Sequence, residues 1–532
     1  MKKTALNLID RRQSFAALEA ETFDILIIGA GITGCGTARE AAVRGLRVAL
    51  IDANDIGSGT SSRSSKLIHG GLRYLAQGDV GVVREAANER RALRHMAPHL
   101  AKKNPMVILA RSKTSVTALR TAVWSYEKLG SVEKALRHEV WNAKRLHLEE
   151  PLVASENYAG AVVYPEYLTD DARLTMANAR DAAGEGAVVV TYASADEMIQ
   201  ENGQIKGALV RDTLHGSEET ARVRARVIVN STGPWLDLVR RLEDRQAKEL
   251  LQLTKGIHIV IPHDRLPITR TVTMIARDRR GIFAIPYGQI VYFGTTDTFY
   301  PKPEHWPEIT REDIDYLIES MNRTFDIEPL EYKDIISIWA GIRPLLGQKG
   351  KKPSEISRRN EILEGPGGML SVAGGKLTSY RSMAERLVDQ CQVKLNQKPS
   401  PSNTSKSPLP GGDFTETLEQ MQSRLVEFGL EPYEAERAIR LYGSEAKVVF
   451  AKGKGPEIEA DYAVLKEGAL TLEDYWVRRT SRARFDLDGG VSALEPAAKR
   501  MGELLNWSPE ETTRQIEICK ALREAELAVI RN

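Results

Sequence analysis

The apolar run Ile25–Ile28 stops at a glycine, and the largely apolar run Leu46–Ile51 stops at Asp52. Short apolar runs bounded by turn residues predict strands buried on both faces. Between them the glycines give way to a small-residue helix that continues over Ala38–Val43, so the stretch predicts a complete βαβ unit. Two similar strand-to-helix breaks come far downstream. In Ala225–Leu242 a β-rich run breaks at Gly233-Pro234 before a helix. In Gly367–Cys391 the strand Met369–Ala373 breaks at Gly374-Gly375-Lys376, with a helix from about Thr378. Three strand ends of one sheet thus carry glycine-rich turns. Another strand, in TKGIHIVIP, alternates apolar and other residues. From Thr415 to Asn532 the pattern turns helical with charged faces, and the preceding Asn396–Phe414, rich in Pro, Ser and Lys, reads as a linker.

At 532 residues the chain is too long for a single core. Its 74 basic and 72 acidic residues leave a net charge of +2, so there is no global case for a nucleic-acid binder. Three cysteines, far apart in sequence, suggest neither a disulfide framework nor a metal site and point to a reducing compartment. The start of the chain has no apolar run of signal-peptide length, and no long uncharged apolar stretch occurs. A cytoplasmic location is expected, with any membrane contact peripheral. Lys102–Arg145 is basic and carries Trp124, Tyr126 and Trp141, a composition suited either to an anionic membrane surface or to a solvated helical face.

The turn after the first strand reads Gly29-x-Gly31-x-x-Gly34. Gly29 permits the turn, Gly31 admits a pyrophosphate to the backbone, Gly34 allows close packing, and the helix N-terminus favours negative charge. Asp52 then takes the ribose hydroxyls. An NAD domain should complete its sheet soon afterwards. Here the chain departs into a polar loop and returns to the sheet only downstream, which fits FAD better than NAD.

That loop, GTSSRSSKLIHGGLRYL over Gly59–Leu75, is crowded with side-chain donors. His258 is a histidine on an alternating strand, a setting in which a lone imidazole is more often packing than chemistry. Arg343 is flanked by apolar residues in AGIRPLL, where a buried guanidinium needs a partner. Lys376 follows two glycines and precedes a helix, a place from which it can reach an anion such as the flavin N1/C2=O edge or a substrate oxygen. GTTDT, Gly294–Thr298, reads as a structural turn, and no metal-binding or serine-hydrolase motif occurs.

Taken together, IIGAGITGCGTAREAAVRGL, SSKLIHGGLRYL, YLTDDARLTMANARDA, NSTGPW, TKGIHIVIP, GTTDT, WAGIRPLL and SVAGGKLTSYR resemble, in order, the aerobic FAD-dependent, quinone-linked glycerol-3-phosphate dehydrogenase family. The resemblance implies an α/β fold: a Rossmann-like FAD-binding domain of the glycine oxidase-like type, an inserted mixed β-rich substrate domain, and a C-terminal helical domain. On this basis 1–22 is an N-terminal extension. FAD-binding segments fall at about 23–90, 150–245 and 345–395, substrate segments at about 91–149 and 246–344, the linker at 396–414 and the helical domain at 415–532.

The resemblance also assigns residues. Ser61, Ser62, Ser64, Ser65 and Lys66 would donate to the pyrophosphate and flavin, with His69, Gly70 and Gly71 close to the isoalloxazine and Gly233, Gly375, Lys376, Leu377 and Thr378 completing the cofactor site. Arg73, Tyr74, His258, Arg343, Arg358 and Lys376 would bind substrate, and His258, Arg343 and Lys376 would be catalytic. His258 as general base implies an acidic limb at about pH 6–7. The expected reaction oxidises sn-glycerol 3-phosphate to dihydroxyacetone phosphate, passing electrons to a membrane quinone at the inner face of the cytoplasmic membrane. A homo-oligomer is left open. Two alternatives remain: a glycerol-3-phosphate oxidase that uses O₂, and a flavin-binding module without turnover.

Overall fold

The computed structural model describes residues 5–69, 80–129, 137–347 and 361–531. Gly70, Gly71, Arg73, Tyr74 and Arg358 lie outside the described residues. The expected βαβ unit is present as strand Thr22–Ile28, helix Ile32–Val43 and strand Val48–Ile51. Thr22–Ile28 pairs in parallel with Val48–Ile51 on one side and with Thr220–Asn230 on the other. Leu370–Ala373 and Val188–Val190 extend the parallel sheet. Antiparallel Glu361–Glu364 and the hairpin Ala193–Glu201/Gln204–Asp212 complete eight strands.

Distant segments converge because each contributes a run buried on both faces. Ile25, Ile27, Val227, Val229, Leu370 and Val372 share one core with Ala38 and Ala41 of the helix above and Leu387 and Val388 of helix Tyr380–Lys394. Each such aliphatic side chain contributes about 1.5–3 kcal/mol on burial.

A ten-stranded second sheet is built mainly from 102–110, 160–168 and 251–346. Its central pairing joins Leu251–Pro262 to Ser337–Leu346 and, on the other edge, to Ile290–Gly294. This corrects two boundaries. Gly160–Leu168, assigned above to the nucleotide-binding part, pairs along its length with Lys102–Ala110, and Leu67–Ile68 joins its end. The basic stretch from Lys102 is of mixed structure. It comprises a strand, the helix Lys113–Leu129 and a short strand, Glu139–Asn142, with Tyr126 and Trp141 buried and Trp124 exposed.

Helices from Leu418 onwards pack around two cores of their own, and Leu527 of the last helix enters the core of the second sheet. The helical part is fastened to the first sheet by buried charges. Asp55, just past Val48–Ile51, accepts from Arg478 (2.5 Å) and Arg479 (2.6 and 2.7 Å), and Arg173 grips Glu467 with both Nη atoms. Burial opposes charge on Asp55, but the two guanidiniums outweigh it and lower its pKa. The segment 396–414, read as a linker, is docked instead. Arg39 donates to the Thr404 and Ser407 carbonyls, Leu409 N–H donates to the Met96 carbonyl, and Thr404 and Leu409 are buried. Composition alone could not reveal a buried arginine waiting for those carbonyls. The N-terminal helix Arg11–Glu19 packs Phe15 and Leu18 into the first sheet, so residues 11–19 are no loose extension.

Candidate active site

A cleft of 480 Å³ opens at the carboxyl ends of the parallel strands. Of the residues expected at the cofactor, Gly29, Gly31, Asp52, Ser61, Ser64, Gly233, Gly375, Lys376 and Leu377 line it. The glycines form a cradle that side chains would fill. Gly29 has φ +103° and its added Cβ would sit 2.8 Å from Ser231 backbone; at Gly31 a Cβ would meet Ser61 Oγ at 3.2 Å. Gly34 serves packing, since its Cβ would fall 1.8 Å from the Gly29 carbonyl.

Gly31 has no side chain to cap the helix it precedes, and Ile32 N–H donates instead to Ser61 Oγ, 2.9 Å away. The helix start thus faces the cleft with its positive end. Opposite it, Asp52 accepts the N–H groups of Ala30 (2.6 Å) and Asn54 (2.8 Å). Burial pushes the Asp52 carboxyl up to about 7 despite these bonds. Backbone amides and a helix start for phosphates, with a carboxyl for ribose hydroxyls, are the donor and acceptor set that a dinucleotide needs. The residues present fit FAD.

The polar loop joins this cleft to the second sheet. Thr60 Oγ1 donates to the Ile342 carbonyl (2.6 Å), Trp339 Nε1 to Arg63 (3.3 Å) and Tyr292 OH to Ser65 (3.0 Å). Ser65 Oγ lies 2.8 Å from His258 Nε2. His258 is fully buried, stacked on Trp339 at 4.6 Å between ring centroids and 13° between planes, and its Nδ1 has no hydrogen-bond partner among the described residues. Burial, Arg343 and Lys66 together push its pKa well below the ordinary imidazole value. A base in this setting would show its acidic limb below the expected pH of about 6–7.

Directly opposed residues of antiparallel strands share a face, so Thr254, Gly256 and His258 stand with Arg343, Gly341 and Trp339. Three glycines open this face. A Cβ on Gly294 would sit 2.4 Å from His258 Cδ2, one on Gly341 2.9 Å from Arg63, and one on Gly256 2.3 Å from Arg343 Nη2. The Arg343 guanidinium lies over Gly256, with Nη2 donating to Thr295 Oγ1 (2.9 Å) and Nη1 to Asp297 (3.1 Å) and the Thr296 carbonyl (3.3 Å). GTTDT, read as a structural turn, supplies all three of these partners.

Several expected cofactor contacts are occupied otherwise. Lys66, buried, forms an ion pair with Asp171 and also donates to the Ser62 carbonyl. Burial opposes its charge, but Asp171 and Asp170 raise its pKa. It fastens the loop to the helix Asp171–Gly184, whose N-terminus Asp170 caps, and is not a cleft donor. Ser62 is buried outside the cleft lining, and so is Thr378, whose hydroxyl donates to the His69 carbonyl. The His69 ring meets the edge of Phe283.

Conversely, Trp235, His305 and Asn54 line the cleft and were missed. Trp235 and His305 stack at 4.3 Å, and Asn54 Nδ2 lies 3.0 Å from His305 Nε2. Burial, then Arg63, lowers the His305 pKa to about 4, so it is neutral. Trp235 stood in the NSTGPW motif; His305, in a loop, carried no sequence signal.

The sequence model of the family described as FAD dependent oxidoreductase matches residues 24–381, and that of the C-terminal domain of alpha-glycerophosphate oxidase matches 402–512. Aerobic glycerol-3-phosphate dehydrogenase of Staphylococcus aureus (strain USA300) is 36% identical over 550 residues, covering 98% of each chain. Among solved structures, the glycerol-3-phosphate dehydrogenase of Bacillus halodurans complexed with FAD is similar at a TM-score of 0.83 and 31% identity, covering 98% of this chain and 99% of that one. The L-alpha-glycerophosphate oxidase of Mycoplasma pneumoniae, with FAD bound, shares the fold at 17% identity and a TM-score of 0.54, covering 73% of this chain and 99% of that one.

Proposed function

The chain belongs to the FAD-dependent oxidoreductases and, within them, to the aerobic glycerol-3-phosphate dehydrogenase family, and from this premise we propose that it oxidises sn-glycerol 3-phosphate to dihydroxyacetone phosphate and delivers the electrons to a membrane quinone. The observation that carries the reading is the loop Gly59–Ile68, which lines a dinucleotide cleft with Ser61 and Ser64 and touches His258 with Ser65.

In this proposal Gly29, Gly31 and the start of helix Ile32–Val43 hold the pyrophosphate of FAD, and Asp52 holds its ribose. Gly375, Lys376 and Leu377 border the flavin end, where the Lys376 ammonium favours negative charge. Bound FAD supplies the hydride acceptor. Arg343, fixed by Thr295 and Asp297, binds the substrate phosphate, a task for a planar and permanently charged fork. Arg73, Tyr74 and Arg358 belong to the same set on the family resemblance alone.

His258 is neutral at physiological pH and is the proton acceptor. Its buried Nε2 meets substrate through half-buried Ser65. The alcohol proton passes to Ser65 Oγ as the serine proton passes to His258 Nε2. The alcohol oxygen keeps the pair from its O–H bond and becomes the carbonyl as the C–H hydrogen leaves as hydride.

No helix among the described residues is long and apolar enough to cross a membrane. A peripheral seat on the inner face is supported by exposed Trp124, Val140 and Leu148 in the same stretch of chain as exposed Lys113, Arg120, Lys128 and Lys144. The match of 402–512 to a domain named for an oxidase favours O₂ as the second acceptor to test. Anaerobic glycerol 3-phosphate should bleach the flavin band. Quinone should then restore it faster than air does, with little peroxide per turnover. A flavin that glycerol 3-phosphate leaves oxidised refutes the substrate, and stoichiometric peroxide in preference to quinone reduction refutes the acceptor.

A further inference from the structure

A second cavity, of 280 Å³, lies between the second sheet and the helical region. Lys102 and Lys103 enter it from the start of one strand, Thr169 from just past Gly160–Leu168, Tyr287 from the end of Gly281–Tyr287, His99 from the turn Pro98–Leu100 and Arg440 from helix Pro432–Tyr442. Apart from Lys102 and Lys103, which belong to the basic stretch, none of these residues was assigned a role by the sequence, and none of the six lines the dinucleotide cleft.

Its charge is one-sided. Lys102 pairs with Glu436, which also lines the cavity, whereas Lys103 and Arg440 have no ion-pair partner among the described residues. The Arg440 guanidinium is stacked over the Tyr287 ring at 4.0 Å, and Glu436, whose charge it favours, pairs with Lys102 rather than with it. Several of the lining residues also have a polar atom packed away from solvent. Arg440 Nε, Tyr287 OH, Thr169 Oγ1 and His99 Nδ1 are all buried without a hydrogen-bond partner among the described residues. His99, Thr169 and Tyr287 are each at most 5% exposed. Burial, reinforced by Arg173, lowers the His99 pKa to about 3, leaving a neutral imidazole that adds no charge.

The Arg440 fork with the Lys102 and Lys103 ammoniums, against the single carboxylate of Glu436, is a donor set suited to an oxyanion, and the volume suits a small one. We propose that this cavity binds a small oxyanion, a phosphomonoester or carboxylate metabolite, at a site separate from the dinucleotide cleft. The site adjoins the machinery described above. Thr169 N–H donates to the Lys66 carbonyl (2.9 Å), and Lys66 pairs with Asp171, a residue of the cleft wall.

The test is equilibrium dialysis of the FAD-loaded enzyme against radiolabelled inorganic phosphate and, in a separate arm, malonate. An Arg343→Gln background isolates the new site from the substrate site. That protein should retain one oxyanion per chain with a Kd of about 1 mM or below. Adding Arg440→Gln should weaken binding by about tenfold to a hundredfold, and Lys103→Gln by less, as expected for a guanidinium against an exposed ammonium. Arg440→Gln in the parent should leave FAD content and the KM for glycerol 3-phosphate unchanged. Preference for phosphate over malonate, or the reverse, identifies the ligand class. Should Arg440→Gln fail to fold, Lys103→Gln and displacement of phosphate by malonate still decide. Absence of binding of either anion up to about 10 mM in the Arg343→Gln protein, or binding indifferent to both cavity substitutions, overturns the proposal.

Discussion

Gly256→Ala tests the substrate face without deleting a polar atom. Gly256 lies in the strand Leu251–Pro262, opposite Gly341, and an added Cβ would stand 2.3 Å from both Arg343 Nη2 and Thr295 Oγ1 and 2.7 Å from Nη1. The arginine must therefore leave its position over the strand, giving up its bonds to Thr295 and Asp297. Displacing it from a substrate phosphate loses at least one charge-assisted contact, about 1.5–3 kcal/mol, which is roughly a tenfold to hundredfold rise in KM for glycerol 3-phosphate. Fold stability should also fall, because the lost Arg343 bonds to Thr295 and buried Asp297 outweigh the about 0.5–1 kcal/mol by which alanine is favoured over glycine in a strand. Steady-state kinetics with a quinone acceptor, alongside calorimetry and flavin content, separates the two effects. Combining Gly256→Ala with Arg343→Ala should add little to either single change, since both act on one guanidinium. A Gly256→Ala enzyme with full flavin and parental KM would show that Arg343 does not hold the phosphate.

Ser65→Ala should lower anaerobic flavin reduction by about 10²–10⁴-fold, as His258→Gln should, with little change in FAD content. Because burial holds the folded His258 pKa well below its usual value, the base stays neutral as pH falls through about 6.5, and the rate should fall only further into acid. A limb at pH 6–7 that disappears in His258→Gln refutes that environment. Gly31→Val should abolish FAD retention by filling the approach beside Ser61, and a folded variant with stoichiometric FAD removes that turn from the site. Asp55→Asn leaves Arg478 and Arg479 without their shared carboxylate and should destabilise the junction with the helical region by about 3–5 kcal/mol, read as an earlier calorimetric transition; an unshifted transition discards the clamp.

The βαβ unit, its glycine cradle and Asp52 were legible in the sequence because their signals are local: an apolar run, a turn needing φ > 0, a helix start, an acid at the next strand end. His258 and Arg343 were legible only through family motifs, since neither alternation nor an apolar flank states what a side chain touches. The structure shows why these motifs carry glycines: Gly294 makes room for His258 and Gly256 for Arg343.

The sequence by itself thus determined which short stretches form strands, turns and helix starts, and with them the cofactor class. Tertiary structure alone decided the partners. Lys66 looked like a cleft donor among serines, yet Asp171, 105 residues away, takes its charge. Gly160–Leu168 could have joined either sheet, and nine-residue antiparallel pairing with Lys102–Ala110 drew it into the second. The 396–414 stretch has a linker's composition and is held by Arg39, whose guanidinium would otherwise be buried with too few acceptors. Periodicity and turn chemistry are set by neighbours along the chain, whereas the partner of a charge, an edge strand or a carbonyl is chosen by whichever distant group folding brings alongside it, where desolvation makes pairing obligatory.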